Sequence, residues 1–215
     1  MQPPVKVHLP FLNRLQAGEQ LAAAMADFAG RKPLVLAIPR GGTAVAKIVA
    51  ERLGGELDVV LAHKLGAPWN PELAVGAVDE AGNVYVSDTA AAIGADEAYL
   101  EREAAEQLQQ LLRRRRLFTP DRAPIDPKGR LVIVVDDGLA TGATMIAALH
   151  AVRGYQPEHL VCAVPVSSEE ALHAVAPLAD EVVCLAVPKH FGGVGRFYFD
   201  FAQVEDDEVV AALHG

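Results

Sequence analysis

With 215 residues, 51% of them hydrophobic and 22% charged, the chain is long enough for one compact domain and apolar enough to fill its core. Its net charge of −9 works against broad nucleic-acid binding, which draws on clustered Lys and Arg, so any anion site has to be local. No apolar run approaches the roughly 20 residues of a membrane span, residues 1–6 carry no signal-peptide apolar region, and Cys162 and Cys184 lack metal-ligand spacing, so a cytoplasmic protein with reduced thiols is expected.

Residues 13–30 hold a helical segment, alanine-rich up to Phe28 and closed by Gly30. Residues 34–38, Leu-Val-Leu-Ala-Ile, form a buried-strand pattern that feeds the turn Pro39, Arg40, Gly41, Gly42 and a helix over about residues 44–53. A strand over residues 57–63 follows, and the strand-helix-strand order predicts a parallel sheet. Residues 65–95 are rich in small and turn-forming types, with a hairpin turn at residues 80–83 between strands 74–78 and 84–86. This segment is expected to be a flexible excursion over the sheet's carboxyl edge, and it contains no Lys or Arg. A long helix follows over about residues 96–117, with Leu108, Leu111 and Leu112 on one face and Pro120 beyond its end. Residues 113–116 are four consecutive arginines, expected to form a solvated helix end where cations complement the dipole.

Residues 131–135, Leu-Val-Ile-Val-Val, are five β-formers without polar alternation, which suits a central parallel strand covered on both faces. Asp136 and Asp137 leave its carboxyl end, where paired carboxylates can accept hydrogen bonds from vicinal hydroxyls or approach a metal ion. Thr141, Gly142, Ala143 and Thr144 then open a helix over residues 145–152. Unpaired N–H groups and the dipole at a helix start favour an anion, Gly142 removes a Cβ that would hold a phosphate away, and the threonines add hydroxyl donors. Strand, acid pair and cradle together suit a phosphorylated sugar. Receiver domains also place acids after an apolar strand, but near the domain start; here only residues 138–215 remain, and the threonine-glycine cradle would be surplus. Beyond it come a strand at 160–164, a helix capped by Ser167 with Glu170, a last core strand at 181–187, an irregular aromatic tail at 188–201 and a short helix at 206–213.

Residues 132–144 resemble the phosphoribosyl pyrophosphate signature of the type I phosphoribosyltransferases. Residues 34–42 resemble that family's first strand with its pyrophosphate loop, and residues 59–64 its next strand with a terminal lysine; order and spacing match over roughly residues 30–200. The resemblance implies an α/β fold, a parallel sheet flanked by helices, in a single domain over 1–215: a core at about 30–187, a hood at about 188–201 with the N-terminal segment, and the flexible excursion at about 65–95. It implies that Asp136 and Asp137 take the ribose hydroxyls, that Ala140, Thr141, Gly142, Ala143 and Thr144 hold the 5′-phosphate, and that Arg40, Gly41 and Lys64 meet the pyrophosphate, with the amide of Gly42 beside them. Asp136, Asp137, Arg40 and Lys64 form the implied catalytic set, Mg²⁺ the cofactor, and Asp200 a candidate metal ligand. The implied substrates are phosphoribosyl pyrophosphate and a nucleobase-like acceptor, with no nucleic-acid or membrane partner and a possible homodimer. A non-proline cis bond is expected at Arg40–Gly41.

The acceptor is where the resemblance divides. Phe191, Val194, Gly195 and Asp200 are similar to the hood of 6-oxopurine enzymes, yet Ala140 stands where those carry a proton-handling Asp, and adenine and uracil signatures also run Leu-Ala-Thr-Gly here. Phe197 and Tyr198 are candidates for stacking on the base, or else core. With no cation in residues 65–95, Arg14 or residues 113–116 are left to close over pyrophosphate. The same absence, with Ala140, keeps open a regulatory module that senses phosphoribosyl pyrophosphate or a nucleotide without turnover. Hydrolysis or another transfer at a phosphorylated ribose is a third reading.

Overall fold

A computed structural model describes residues 7–87 and 90–214. Residues 1–6, considered above for a leader, and residues 88–89 of the excursion lie outside the described residues. The main sheet is parallel throughout, in the order β2 (Glu56–Val59), β1 (Leu34–Ala37), β6 (Leu131–Val135), β7 (His159–Val166), β8 (Glu181–Ala186). The chain runs outward from β1 to β2, then returns to β6 on the other side of β1 and proceeds to β8. That reversal puts a topological switch point between β1 and β6, where open α/β sheets bind ligands at their carboxyl ends. In register, Ala37 lies beside Val135, so the loops after both strands emerge together.

Strand pleating divides the core. Val35, Ala37, Ile133 and Val135 pack with α1 (Arg14–Ala24), α2 (Gly42–Leu53), α3 (Glu97–Phe118) and Val209 of α6 (Asp206–His214). Leu34, Leu36, Val132 and Val134 pack with α4 (Ala143–Gly154) and α5 (Glu169–Val175). Both faces are covered, which is why these strands are uniformly apolar. No helix among the described residues is long and apolar enough to cross a membrane.

Several local expectations shift. The strand expected at 57–63 breaks at Val60 and Leu61: β2 stays in the main sheet, whereas β3 (Ala62–Ala67) pairs antiparallel with β4 (Asn70–Asp79), and β4 with β5 (Val84–Val86). The segment expected as a flexible excursion carries the expected hairpin, β4 to β5, and with β3 makes a three-stranded sheet laid against α3 and α4. The helix cap falls on Ser168 rather than Ser167; the Ser168 Oγ accepts from the Ala171 N–H at 3.0 Å, while Ser167 is fully buried. Arg115 is not solvated: it is 8% exposed and bonded to Asp58 and Glu80.

Phe11 and the tail form a third apolar cluster with Ala17, Val166 and Tyr198, and the Phe11 N–H donates to the Phe197 carbonyl at 2.7 Å. The N-terminal segment and the residues after β8 therefore make one layer over the sheet's carboxyl end.

One buried hydroxyl stands out. Thr43 is 1% exposed, and its Oγ1 has no hydrogen-bond partner among the described residues. Replacing a buried unsatisfied hydroxyl by a methyl removes its desolvation cost, so Thr43→Val should raise stability by about 1–3 kcal/mol. Thermal denaturation checks this; a lower melting temperature would show that the hydroxyl is bonded.

Candidate functional site

The site grows from the carboxyl ends of β1 and β6. After β1 the chain turns sharply through Pro39–Arg40, whose peptide bond is cis. The cis bond expected at Arg40–Gly41 thus lies one residue earlier. Gly41 has ordinary helical angles, φ −58° and ψ −40°, that any residue could adopt. What demands glycine is contact: a Cβ there would meet Asp137 Oδ2 at 2.2 Å, and one on Gly42 would meet the Val135 carbonyl oxygen at 2.7 Å. The first loop is pressed directly onto the acid pair. The Gly42 N–H is committed to the Ile38 carbonyl at 3.1 Å, so of the two loop glycines Gly41 is the one with an amide left for a ligand.

Strand alternation, carried one residue past β6, sends the two acids opposite ways. Asp136 faces α4. It lines a cavity of about 190 Å³ with Gly138, Ala140, Thr141, Thr144 and Val194, and with the rest of the expected cradle, Gly142 and Ala143. Asp137 faces α1 and the hood. It is 8% exposed, its Oδ2 accepts from Arg14 Nε at 2.8 Å, and its backbone carbonyl accepts from the Tyr198 hydroxyl at 2.6 Å. Burial, reinforced by the charge on Asp137, pushes the Asp136 carboxyl well above its ordinary value of 3.8. At Asp137 burial also raises the carboxyl, and Arg14 opposes the rise.

The cradle has the features of an anion site. Gly142 sits in the left-handed region at φ +76°, and no side chain of the cap residue bonds the first turn of α4. Thr141 Oγ1 accepts weakly from the Ala143 N–H at 3.4 Å, and the Ala140 carbonyl accepts from the Ser168 hydroxyl at 2.8 Å, fixing the loop from below. The α4 dipole and its open amides point at the cavity.

Other expected residues are placed differently. Lys64 lies in β3 opposite Ala77 and lines a neighbouring cavity of about 500 Å³, which shares Thr141 and Ala143 with the cradle. Tyr85 and His150 stack across that second cavity with ring centroids 3.5 Å apart. Arg40 Nη1 lies 3.2 Å from Glu205 and 3.9 Å from Asp206 at the start of α6. Tyr198 is 6% exposed, with its ring against Phe11 and Phe201, so it supports the acid pair from within the core instead of offering a face to a base. Phe197 is half-buried with its ring 5.5 Å from Phe191. Asp200 is exposed and accepts from the Ala202 N–H at 3.2 Å. Arg115 lies in a separate cavity of about 700 Å³ with Asp58, Glu80 and Tyr155, whose lining shares no residue with the acid-pair cavity, so it cannot close over pyrophosphate there.

The acid pair offers a metal ion only carboxylate oxygens, from Asp136 and Asp137, which suits a hard cation such as Mg²⁺; the expected Asp200 does not line the cavity. Among the described residues no three His, Cys, Asp or Glu side chains converge into a protein-only cage.

A parallel sheet whose switch point carries a glycine loop, an acid pair and an uncapped helix start is an α/β fold of the kind that binds ligands at the carboxyl ends of its strands. The phosphoribosyl transferase domain family matches residues 12–202, and the chain belongs to that family. Two curated relatives, "Putative phosphoribosyl transferase Rv0571c" of Mycobacterium tuberculosis strain H37Rv and "Putative phosphoribosyl transferase MT0597" of strain CDC 1551, are each 43% identical over 204 residues. The match covers 94% of this chain and 46% of each relative, so the chain spans about half their length. The crystal structure of TT1426 from Thermus thermophilus superposes with a TM-score of 0.89 at 49% identity, covering 94% of this chain and 97% of that one.

Proposed function

We propose that the chain binds phosphoribosyl pyrophosphate with Mg²⁺ and transfers its phosphoribosyl group to a nitrogenous acceptor, a nucleobase, with release of pyrophosphate. The observation that carries this is the pressing of Gly41 onto Asp137, with Asp136 opening into the cavity of the phosphate cradle. Asp136 and the cradle share that cavity, Lys64 lines the cavity beside it, and Gly41 meets Asp137 at the adjoining strand end, so groups suited to the three parts of the donor lie in neighbouring positions. In this reading the α4 amides with Thr141 and Thr144 take the 5′-phosphate, Asp136 and Asp137 accept from the ribose hydroxyls, and the Gly41 amide, Arg40 and Lys64 face the leaving group. Transfer passes through a cationic sugar, so the nearby carboxylates stabilise charge while the loop fixes the in-line geometry. Mg²⁺, when bound, would neutralise charge on the departing pyrophosphate, and Asp200 is the hood carboxylate we assign to assist it. Phe197 at the hood remains the aromatic candidate beside the acceptor, with Tyr198 behind it.

A screen for pyrophosphate release against free nucleobases tests the proposal. Asp137→Asn should lower activity at least about tenfold, since a charge-assisted hydrogen bond of about 1.5–3 kcal/mol is lost. Undiminished activity in that variant would remove the ribose-binding role of the pair. A second reading, a non-catalytic sensor of phosphoribosyl pyrophosphate or a nucleotide, is favoured by the engagement of Arg40 with Glu205 and Asp206. It predicts thermal stabilisation by the donor without turnover on any acceptor.

A further inference from the structure

The hood supplies a cation that residues 65–95 do not. Arg14 opens α1 immediately after its cap, Asn13, whose Oδ1 accepts from the Gln16 N–H at 3.0 Å. From there its guanidinium is held on three sides: Nε donates to Asp137 Oδ2 at 2.8 Å, Nη1 donates to the Ala202 carbonyl at 2.8 Å, and its central carbon lies 3.9 Å from the centroid of the Phe201 ring. The Arg14 and Asp137 side chains are 12% and 11% exposed, well removed from the solvent that weakens surface ion pairs. Arg14 donates to Oδ2, and among the described residues no side chain donates to Asp137 Oδ1, which is left as an acceptor.

We infer that Arg14 is a positioning residue for ribose recognition: by fixing Asp137 Oδ2 it orients Oδ1 toward a sugar hydroxyl, and it ties that orientation to the closed hood through Ala202 and Phe201. This rests on the function proposed above. The carboxylate is confined by the Gly41 backbone and by the tethered guanidinium, and the Tyr198 hydroxyl donates to its backbone carbonyl. Freed of Arg14, the carboxylate could swing away from the sugar, while the α4 cradle and the Gly41 loop would be untouched. The loss should therefore be selective for ligands that carry ribose hydroxyls.

Equilibrium binding of three probes, phosphoribosyl pyrophosphate, ribose 5-phosphate and inorganic pyrophosphate, to the wild type, Arg14→Met and Arg14→Lys tests this. Arg14→Met should weaken the two ribose ligands about tenfold or more and pyrophosphate by less than about twofold, the size expected for a charged hydrogen bond acting through one carboxylate. Arg14→Lys keeps the charge but loses the planar fork, so it should recover part of the ribose affinity. If the Met variant does not fold, the Lys variant carries the test, with a smaller loss confined to the ribose ligands. Equal weakening of all three probes would mean that Arg14 merely supports the fold, and unchanged affinities would mean that it does nothing for the sugar; either overturns the inference. A wild type that binds none of the probes would instead overturn the proposed function itself.

Discussion

Gly41→Ala is expected to lower phosphoribosyl pyrophosphate binding and turnover by about a hundredfold, the scale on which a misplacement of about 1 Å acts in a positioned site. The backbone at Gly41 already has angles suited to alanine, so conformational strain cannot be the cause. The added methyl would have to occupy space 2.2 Å from Asp137 Oδ2 and 2.8 Å from its Cγ. The carboxylate cannot retreat freely, because Arg14 holds the same oxygen at 2.8 Å from the other side. Either the loop lifts away from the sheet end or Asp137 leaves its acceptor position, and both separate groups that must act together. Gly54→Ala is the control. Gly54 caps α2 at φ +66° with open space around it, so alanine there should cost about 1 kcal/mol of stability and leave binding intact. Titration of both variants with phosphoribosyl pyrophosphate checks the contrast; similar affinities would show that the loop is not part of the site.

The largest stability effect should come from the other end of the molecule. Arg115→Met is expected to destabilise the fold by about 3–5 kcal/mol, because it strands carboxylates that were buried with a partner. Arg115 Nη1 donates to Asp58 Oδ1 at 2.8 Å, its Nη2 to the Val59 carbonyl at 2.8 Å, and the same fork grips Glu80. Asp58 is 1% exposed; Arg122 at 3.3 Å and two backbone N–H groups remain to it, but Glu80 loses its guanidinium outright. For a chain of this size that energy corresponds to roughly 6–20 °C in melting temperature. The sign of the pH dependence follows from Glu80, whose carboxyl burial already raises above its ordinary 4.5 against the pull of Arg115. Without Arg115 it rises further. A carboxyl raised in the native state costs stability as pH climbs through its titration, so the deficit should be larger at about pH 7 than at about pH 5. Arg113→Met, on an exposed face, should change stability by less than about 0.5 kcal/mol. Similar melting curves for the two variants would mean that the buried pairing contributes little.

These two cases mark where local sequence stops being sufficient. The strand at 131–135, the acid pair, the cradle at 141–144 and the glycine loop were legible because each is a contiguous run whose backbone needs are met by its own residues. Arg115 and Arg113 belong to the same run of arginines, and nothing within that run distinguishes the buried one; the distinction is made by Asp58 and Glu80, which lie 57 and 35 residues away. The break at Val60 and Leu61 was equally hidden, since an apolar run does not say which sheet its second half will join. In sequence Tyr198 is equally a stacking face or a core residue, because an aromatic in a glycine-rich tail can lie on the surface or inside, and the partner that chooses the core for it is Phe11, at the opposite end of the chain.

The sequence by itself determined a parallel α/β core and the residues at its switch point: carboxylates at a strand end, a glycine where a loop must press close, and a helix start beside them. Only the tertiary structure decided how the two acids divide, one to the cavity of residues 140–144 and one to the hood, and that Arg14, 123 residues from Asp137, holds the second. The physical reason is range. Backbone geometry and strand pairing are set by propensities acting over a few residues, whereas the partner of a buried charge is chosen by whichever distant side chain the packed layers bring within about 3 Å.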